Sequence, residues 1–289
     1  MTPWLLAARP KTLAAAVTPV LVGTALARNV ATPTHWLSFT FALLGAVFIQ
    51  IGTNYVNDAL DFKKGSDTHT RLGPLRVTQA GLLDADAVLR GAYVCFVLAA
   101  LCGIPLIVRG GWPIAAIGVA SIVAAYAYTG GPYPLAYHGL GEIFVMLFFG
   151  IVAVCGSFYL QRLALDPTAW IGGFATGSLA VVILAINNLR DLDNDRASNK
   201  RTLAARFGPR FAFSEIVVFA LAPFVCVLVI ARLRNALTLT IPMLVLPLAI
   251  ALLVRVWRSH GAELNRCLAL AGALEWSFGI LYVVGAALA

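Results

Sequence analysis

Two short stretches carry most of the residues that could do chemistry. The first is Asn54-Tyr-Val-Asn57-Asp58-Ala-Leu-Asp61-Phe-Lys63-Lys64-Gly-Ser-Asp67. The second is Asn187-Asn188-Leu-Arg190-Asp191-Leu-Asp193-Asn-Asp195-Arg196. On a helix, Asn54, Asp58 and Asp61 stand at i, i+4 and i+7, and Asn187, Asp191 and Asp195 at i, i+4 and i+8. Each set then shares one face. Carboxylates and amides on one face are oxygen ligands for a hard cation. Mg²⁺ in particular is held by a few carboxylates and shared with the oxygens of a substrate phosphate. The lysines and arginines beside both clusters can neutralise the remaining phosphate charge. Two such clusters facing each other suit Mg²⁺ and a diphosphate.

The elements that position them are apolar. The uncharged runs Trp36 to Thr53 and Trp170 to Ile186 lead into the two motifs. Runs of that length predict membrane helices. A carboxylate at the edge of a span is costly to desolvate, so several together mark a functional site. Composition agrees: 60% of the 289 residues are hydrophobic and mean hydropathy is +0.86. Only 12% are charged, against roughly 25% in soluble domains. The expectation is an all-α integral membrane protein, one polytopic domain over residues 1–289. About nine transmembrane helices should surround a central cavity, with both acidic motifs at its cytoplasmic mouth. The spans are read at about 12–28, 36–57, 87–108, 112–128, 140–161, 168–189, 211–231, 236–255 and 267–288.

The net charge of +8 does not call for nucleic acid, because the positive-inside bias accounts for it. With the N-terminus inside, sixteen of the 21 basic residues fall on the cytoplasmic side. Both acidic motifs then face the compartment where phosphorylated metabolites dissolve. A transporter would instead place acids at mid-membrane depth in paired repeats; two clusters at the same end favour a site open to one face. The partners implied are a diphosphate substrate and the lipid bilayer, and nothing in the composition bears on oligomeric state. Cys95, Cys102, Cys155, Cys226 and Cys267 are dispersed through or beside apolar runs and read as buried structural thiols. Arg9, Lys11 and Ala25-Leu26-Ala27 imitate a secretory signal, but the motif around Arg9 described below claims that stretch for the mature chain.

The segments 62–86 and 189–211 are long and basic, and are expected to cap the cavity mouth. The stretch from Tyr126 to Glu142 reads as a tight connector. Its tyrosines either line an aromatic acceptor site or sit in an interfacial belt, the belt being favoured for Tyr126 and Tyr137, and Glu142 is equally a site carboxylate or an interfacial one. Asp193 falls on another helical face and is expected to pair with Arg190, Arg196 or Arg201. Asn57 and Asn188 are expected to support the ligands. Glu275, inside the last span, reads at least as well as a structural acid as a functional one.

These motifs resemble the UbiA-type intramembrane aromatic prenyltransferases. Residues 54–67, Arg71-Leu-Gly73-Pro74-Leu-Arg76-Val-Thr78-Gln79 and residues 187–206 carry the likeness. Arg9-Pro10-Lys11-Thr12, Pro19-Val-Leu-Val-Gly23 and Tyr128-Thr-Gly-Gly-Pro132 are similar to the MenA branch, the 1,4-dihydroxy-2-naphthoate polyprenyltransferases. The likeness spans roughly residues 9–210. The general first motif reads NDxxDxxxD; here five residues separate Asp61 from Asp67, a longer form found in that branch. The resemblance implies a nine-helix bundle, Mg²⁺ dependence, a polyprenyl diphosphate donor and an aromatic acid acceptor, with demethylmenaquinone as product. 4-Hydroxybenzoate or homogentisate is the alternative acceptor. On this reading Asp58, Asp61, Asp191 and Asp195 hold Mg²⁺, supported by Asn54 and Asn187. Lys63, Lys64, Arg71, Arg76, Arg190 and Lys200 meet the diphosphate. Arg9 and Lys11 either hold the acceptor's carboxylate or only anchor the first span. The expected location is a bacterial cytoplasmic (inner) membrane.

Overall fold

The computed structural model of the chain describes residues 2–28, 33–65 and 72–289, and every regular element among them is helical. Seven helices are long and apolar enough to cross a membrane: Trp36–Lys63, Ala85–Gly110, Gly141–Arg162, Pro167–Arg190, Pro209–Arg234, Leu237–Arg258 and Gly261–Ala287. A bent pair, Pro3–Thr12 and Ala14–Leu26, meets at 48° and makes an eighth if it counts as one span. The stretch expected to cross at 112–128 is the helix Trp112–Ala127, 16 residues long. At 1.5 Å per residue it reaches only about 24 Å, short of a ~30 Å hydrocarbon core. Val108, Trp112 and Leu237 are more than three-quarters exposed on the outer surface, as lipid-facing side chains are.

Local chemistry sets the element ends. A residue before proline is driven out of the helical region. Arg9, before Pro10, takes a left-handed φ of 51° and bends the chain between Pro3–Ala8 and Pro10–Thr12, inside the first member of the pair. The Thr12 hydroxyl donates to the Arg9 carbonyl at 3.0 Å and closes the bend. Asp84 caps the Ala85–Gly110 helix by accepting from the Asp86 and Ala87 amides. Asp166 caps Pro167–Arg190 with proline in the first turn.

Pro167–Arg190 is the central post. Its apolar window is 72% buried, and no other span exceeds 44%. On one side it touches Gly141–Arg162 backbone to backbone: a Cβ on Gly150 would lie 2.4 Å from the Gly173 carbonyl oxygen. Small residues permit such approach where lipid supplies no hydrophobic drive between helices. Gly150 lies in a π-helical stretch, Leu147–Val152. On the other side the core includes Ile216, Phe224, Leu274 and Phe278, the two rings edge to face at 6.3 Å. All five cysteines are free and buried.

The second acidic motif is not one continuous helix. Pro167–Arg190 ends at Arg190, Asp191 leaves helical geometry (φ −94°, ψ 9°), and a short helix, Leu192–Ala197, begins anew. The break removes the simple i, i+4, i+8 face and sets the direction in which Asp195 points.

Candidate functional site

The two motifs meet in a polar cavity of about 200 Å³ at one end of the bundle. The Trp36–Lys63 helix contributes Asn54, Asn57 and Asp61. The end of Pro167–Arg190 and the chain after it contribute Asn187, Asn188, Arg190, Asp191, Asn194, Asp195, Lys200 and Thr202. Arg9 and Thr12 enter from the bent pair, Arg76 from the segment before Ala85, and Tyr128, Thr129 and Glu142 from the connector. An apolar chamber of about 320 Å³ adjoins it between Trp36–Lys63, Ala85–Gly110, Trp112–Ala127 and Gly141–Arg162. Ala15, Gln50, Thr53, Tyr128, Val145 and Phe149 line both.

Asp61, Asp191 and Asp195 are each held by a cation. Asp61 receives the Arg76 guanidinium at 2.9 Å and the Tyr137 hydroxyl at 3.0 Å. Asp191 takes a two-pronged contact from its neighbour Arg190, at 2.8 and 2.5 Å. Asp195, buried, has the Lys200 ammonium at 3.7 Å and the Thr202 hydroxyl at 3.3 Å. Burial pushes Asp195 up to about 6, and the nearby Asp191 and Asp61 charges add to the rise, while Lys200 opposes it. Asn188 donates to Glu142 at 2.8 Å, which keeps that buried acid at the cavity wall.

Asp58 stands apart. It is 1% exposed and does not line the cavity. Its carboxylate accepts from the Val77 amide at 3.3 Å and from the Thr78 amide and hydroxyl at 3.0 and 2.6 Å. It therefore ties the segment before Ala85 to the helix, and its oxygens are occupied. Lys63 also turns away, to Asp86 on the surface. Lys64 donates to the Thr129 carbonyl and lies 4.8 Å over the Tyr137 ring, with Lys200 at 5.7 Å. Lys11 is not among the lining residues, whereas Arg9 is. Arg71 and Asp67 lie outside the described residues. Asp193 is exposed and off the cavity. Glu275 is fully buried and away from it, with neither carboxylate oxygen partnered among the described residues.

Of the two readings of Tyr137, the belt is corrected in favour of a place at the site, because its hydroxyl reaches the Asp61 carboxylate at 3.0 Å. No local pattern could have shown this, since the two residues are 76 positions apart. Thr78 and Thr202 stood inside the motifs but without a role, and Gln50 carried no signal at all, being ordinary polar residues until folding brings their partners near.

The carboxylates of Asp61, Asp191 and Asp195 and the amide oxygens of Asn54, Asn57 and Asn187 offer oxygen ligands only, which fits a hard divalent cation. Among the described residues no three acidic, histidine or cysteine side chains form a ready metal cluster. Mg²⁺ does not need one, because it keeps waters and shares substrate phosphate oxygens.

The UbiA prenyltransferase family is matched over residues 16–281. The 1,4-dihydroxy-2-naphthoate octaprenyltransferase of Escherichia coli (strain K12) is 40% identical over 217 residues, 71% of this chain and 68% of that protein. Its counterpart in Mycobacterium tuberculosis is 40% identical over 208 residues, 71% and 70% of the two chains. Among solved structures, the apo UbiA homolog from Aeropyrum pernix K1 superposes with a TM-score of 0.72 at 14% identity, over 96% of this chain and 98% of that one. The Archaeoglobus fulgidus homolog bound to DMAPP and Mg²⁺ gives 0.67 at 14% identity, over 97% and 99%. At that identity the likeness is one of fold.

Proposed function

The chain belongs to the UbiA prenyltransferase family, and on that footing we propose that it transfers a polyprenyl group from polyprenyl diphosphate to 1,4-dihydroxy-2-naphthoate. The acceptor loses its carboxylate, and the products are demethylmenaquinol (the reduced, hydroquinone form of demethylmenaquinone), CO₂ and diphosphate, a step of menaquinone biosynthesis. The observation that carries this reading is the junction of a charged cavity with an apolar chamber. A diphosphate fits the first and a prenyl tail the second. The curated relatives support the naphthoate acceptor.

Mg²⁺ is the cation proposed, held by Asp61, Asp191 and Asp195, with Asn57, Asn54 and Asn187 at hand. When bound it would act as a Lewis acid on the leaving diphosphate. Asp58 leaves the proposed set because the Val77 and Thr78 groups already occupy it. Arg76, Arg190 and Lys200 line the cavity and neutralise the diphosphate as its C–O bond breaks. Lys64 stands behind them across the Tyr137 ring. The allylic carbon then lies toward Tyr128, Val145 and Phe149 at the junction. These walls exclude water, which would quench the cation to an alcohol, and an aromatic face there is attractive to positive charge. The electron-rich ring forms the new C–C bond, and loss of CO₂ takes the place of proton loss. Arg9 lines the cavity and would meet the acceptor's carboxylate.

Residues 1–289 act as one domain on this proposal. Counting the bent pair and Trp112–Ala127 as crossings brings the spans to nine. The N-terminus faces the cytoplasm of a bacterium, in its cytoplasmic membrane.

The test uses purified protein in detergent, labelled polyprenyl diphosphate and Mg²⁺, with the naphthoate and 4-hydroxybenzoate offered in parallel. Product from the naphthoate, lost on chelation, is expected. Product from the benzoate alone would overturn the acceptor, and turnover unaffected by EDTA would overturn the metal.

A further inference from the structure

We propose that Gln50 is a specificity-determining residue for the acceptor: its Oε1 accepts a hydrogen bond from a ring hydroxyl of the aromatic substrate. This rests on the reaction proposed above.

Gln50 lies on the same helical face as Asn54, Asn57 and Asp61, at i, i+4, i+7 and i+11. About 16 Å of helix separates it from Asp61, which puts it where the polar cavity gives way to the apolar chamber, and it lines both. It is 7% exposed, and its Oε1 has no hydrogen-bond partner among the described residues. A buried amide oxygen left alone is costly, so one kept at a cavity wall calls for a ligand.

The orientation of the amide follows from its other end. Nε2 donates to the Thr12 hydroxyl at 3.2 Å and faces the Thr12 carbonyl at 3.5 Å. The Thr12 hydroxyl gives its only hydrogen to the Arg9 carbonyl and accepts from Asn54 as well. A flipped amide would set oxygen against oxygen, with no hydrogen left between them. Oε1 is thus the end that faces the junction.

An unpartnered carbonyl oxygen requires a donor. Of the two substrates, polyprenyl diphosphate has none: its ionised phosphates only accept, and its tail is hydrocarbon. The dihydroxynaphthoate has two phenolic hydroxyls. The chemistry therefore assigns Gln50 to the ring and excludes it from donor binding. It also separates this acceptor from one lacking the corresponding hydroxyl, since a site built around a hydroxyl is left unpaired by the analogue.

The experiment compares wild type with Gln50→Leu, measuring KM for the naphthoate and for the prenyl donor, and the binding of naphthoates lacking one or the other hydroxyl. In Gln50→Leu the acceptor KM rises about tenfold, the worth of one neutral hydrogen bond, while the donor KM stays within about twofold. Wild type binds one of the two deoxy analogues about tenfold more weakly than the parent, and Gln50→Leu abolishes that difference. Unchanged acceptor KM in a folded variant overturns the proposal. So does equal weakening of all three ring compounds, which would mark a loss of the Thr12 bend instead. Gln50→Met serves if the leucine variant does not fold. Equilibrium binding of the acceptor without donor separates the two claims. Wild type that binds it in a hydroxyl- and Gln50-dependent way without turnover would unseat the proposed reaction and leave this site standing. Binding indifferent to both would unseat the site itself.

Discussion

Asp58 and Asp61 are three residues apart on one helix and have unlike partners. Asp58 accepts three hydrogen bonds from Val77 and Thr78, whereas Asp61 meets Arg76 and Tyr137 at the cavity. Their substitutions should separate accordingly. Asp61→Asn is expected to lower prenyl transfer by about a hundredfold or more, with little change in melting temperature. Asp58→Ala is expected to destabilise the fold by about 2–3 kcal/mol, because buried donors lose their acceptor. Thermal unfolding in detergent beside turnover reads both. Asp195 sets a pH dependence. Its carboxyl is raised from 3.8 to about 6, so the metal-free fold is favoured below pH 4 and that stability is lost as pH rises through 6. A cation that takes the ionised form offsets the loss. The Mg²⁺-induced rise in Tm should be larger at pH 7.5 than at pH 5.5, and the Mg²⁺ needed for half-maximal activity should climb as pH falls below 6. An Mg²⁺ shift equal at both pH values would count against Asp195 as a ligand. The residue types were legible in the sequence; the assignment between Asp58 and Asp61 was not, because it depends on where residues 77 and 78 fold back.

At the scale of the helix, glycines serve opposite purposes. Gly150 allows close contact: an added Cβ would come within 2.4 Å of the Gly173 oxygen and 2.7 Å of the Gly177 Cα. Gly150→Leu is expected to part the Gly141–Arg162 and Pro167–Arg190 helices and to reduce the yield of folded protein in detergent. Gly118 lines the apolar chamber, and a Cβ there meets nothing within 4 Å. Gly118→Leu should fold and shorten the longest prenyl donor accepted, with geranyl diphosphate still used; products separated by chain length would show it. Most spans could be placed from hydropathy alone because an uncharged run must bury its backbone polar groups in a helix. The helix break at Asp191, the left-handed turn at Arg9 and the 48° bend between Pro3–Thr12 and Ala14–Leu26 escaped that reasoning. They are responses to proline and to packing, and hydropathy is blind to both.

At the scale of the whole molecule, exposed apolar side chains such as Val108 and Trp112 surround the helices, and the charged site lies at one end. The proposed orientation puts Ala197 on the cytoplasmic side and Leu165, in the turn between two spans, outside. In a background with the five native cysteines replaced, Leu165→Cys should react with an impermeant maleimide on intact cells. Ala197→Cys should react only after the membrane is opened. The reverse pattern would invert the topology.

The sequence by itself determined the solvent, the secondary structure and the family. Twenty-residue apolar runs admit one backbone solution in lipid, and two acidic motifs beside basic residues are readable without coordinates. Tertiary structure alone decided which acids face the cavity, which cations hold them, that Tyr137 braces Asp61 and that Gln50 lines the cavity. The reason is that a side chain's role is set by what stands opposite. Those partners are 15 to 76 residues away in the chain for Asp61 and 38 away for Gln50, beyond the reach of any helical or motif spacing.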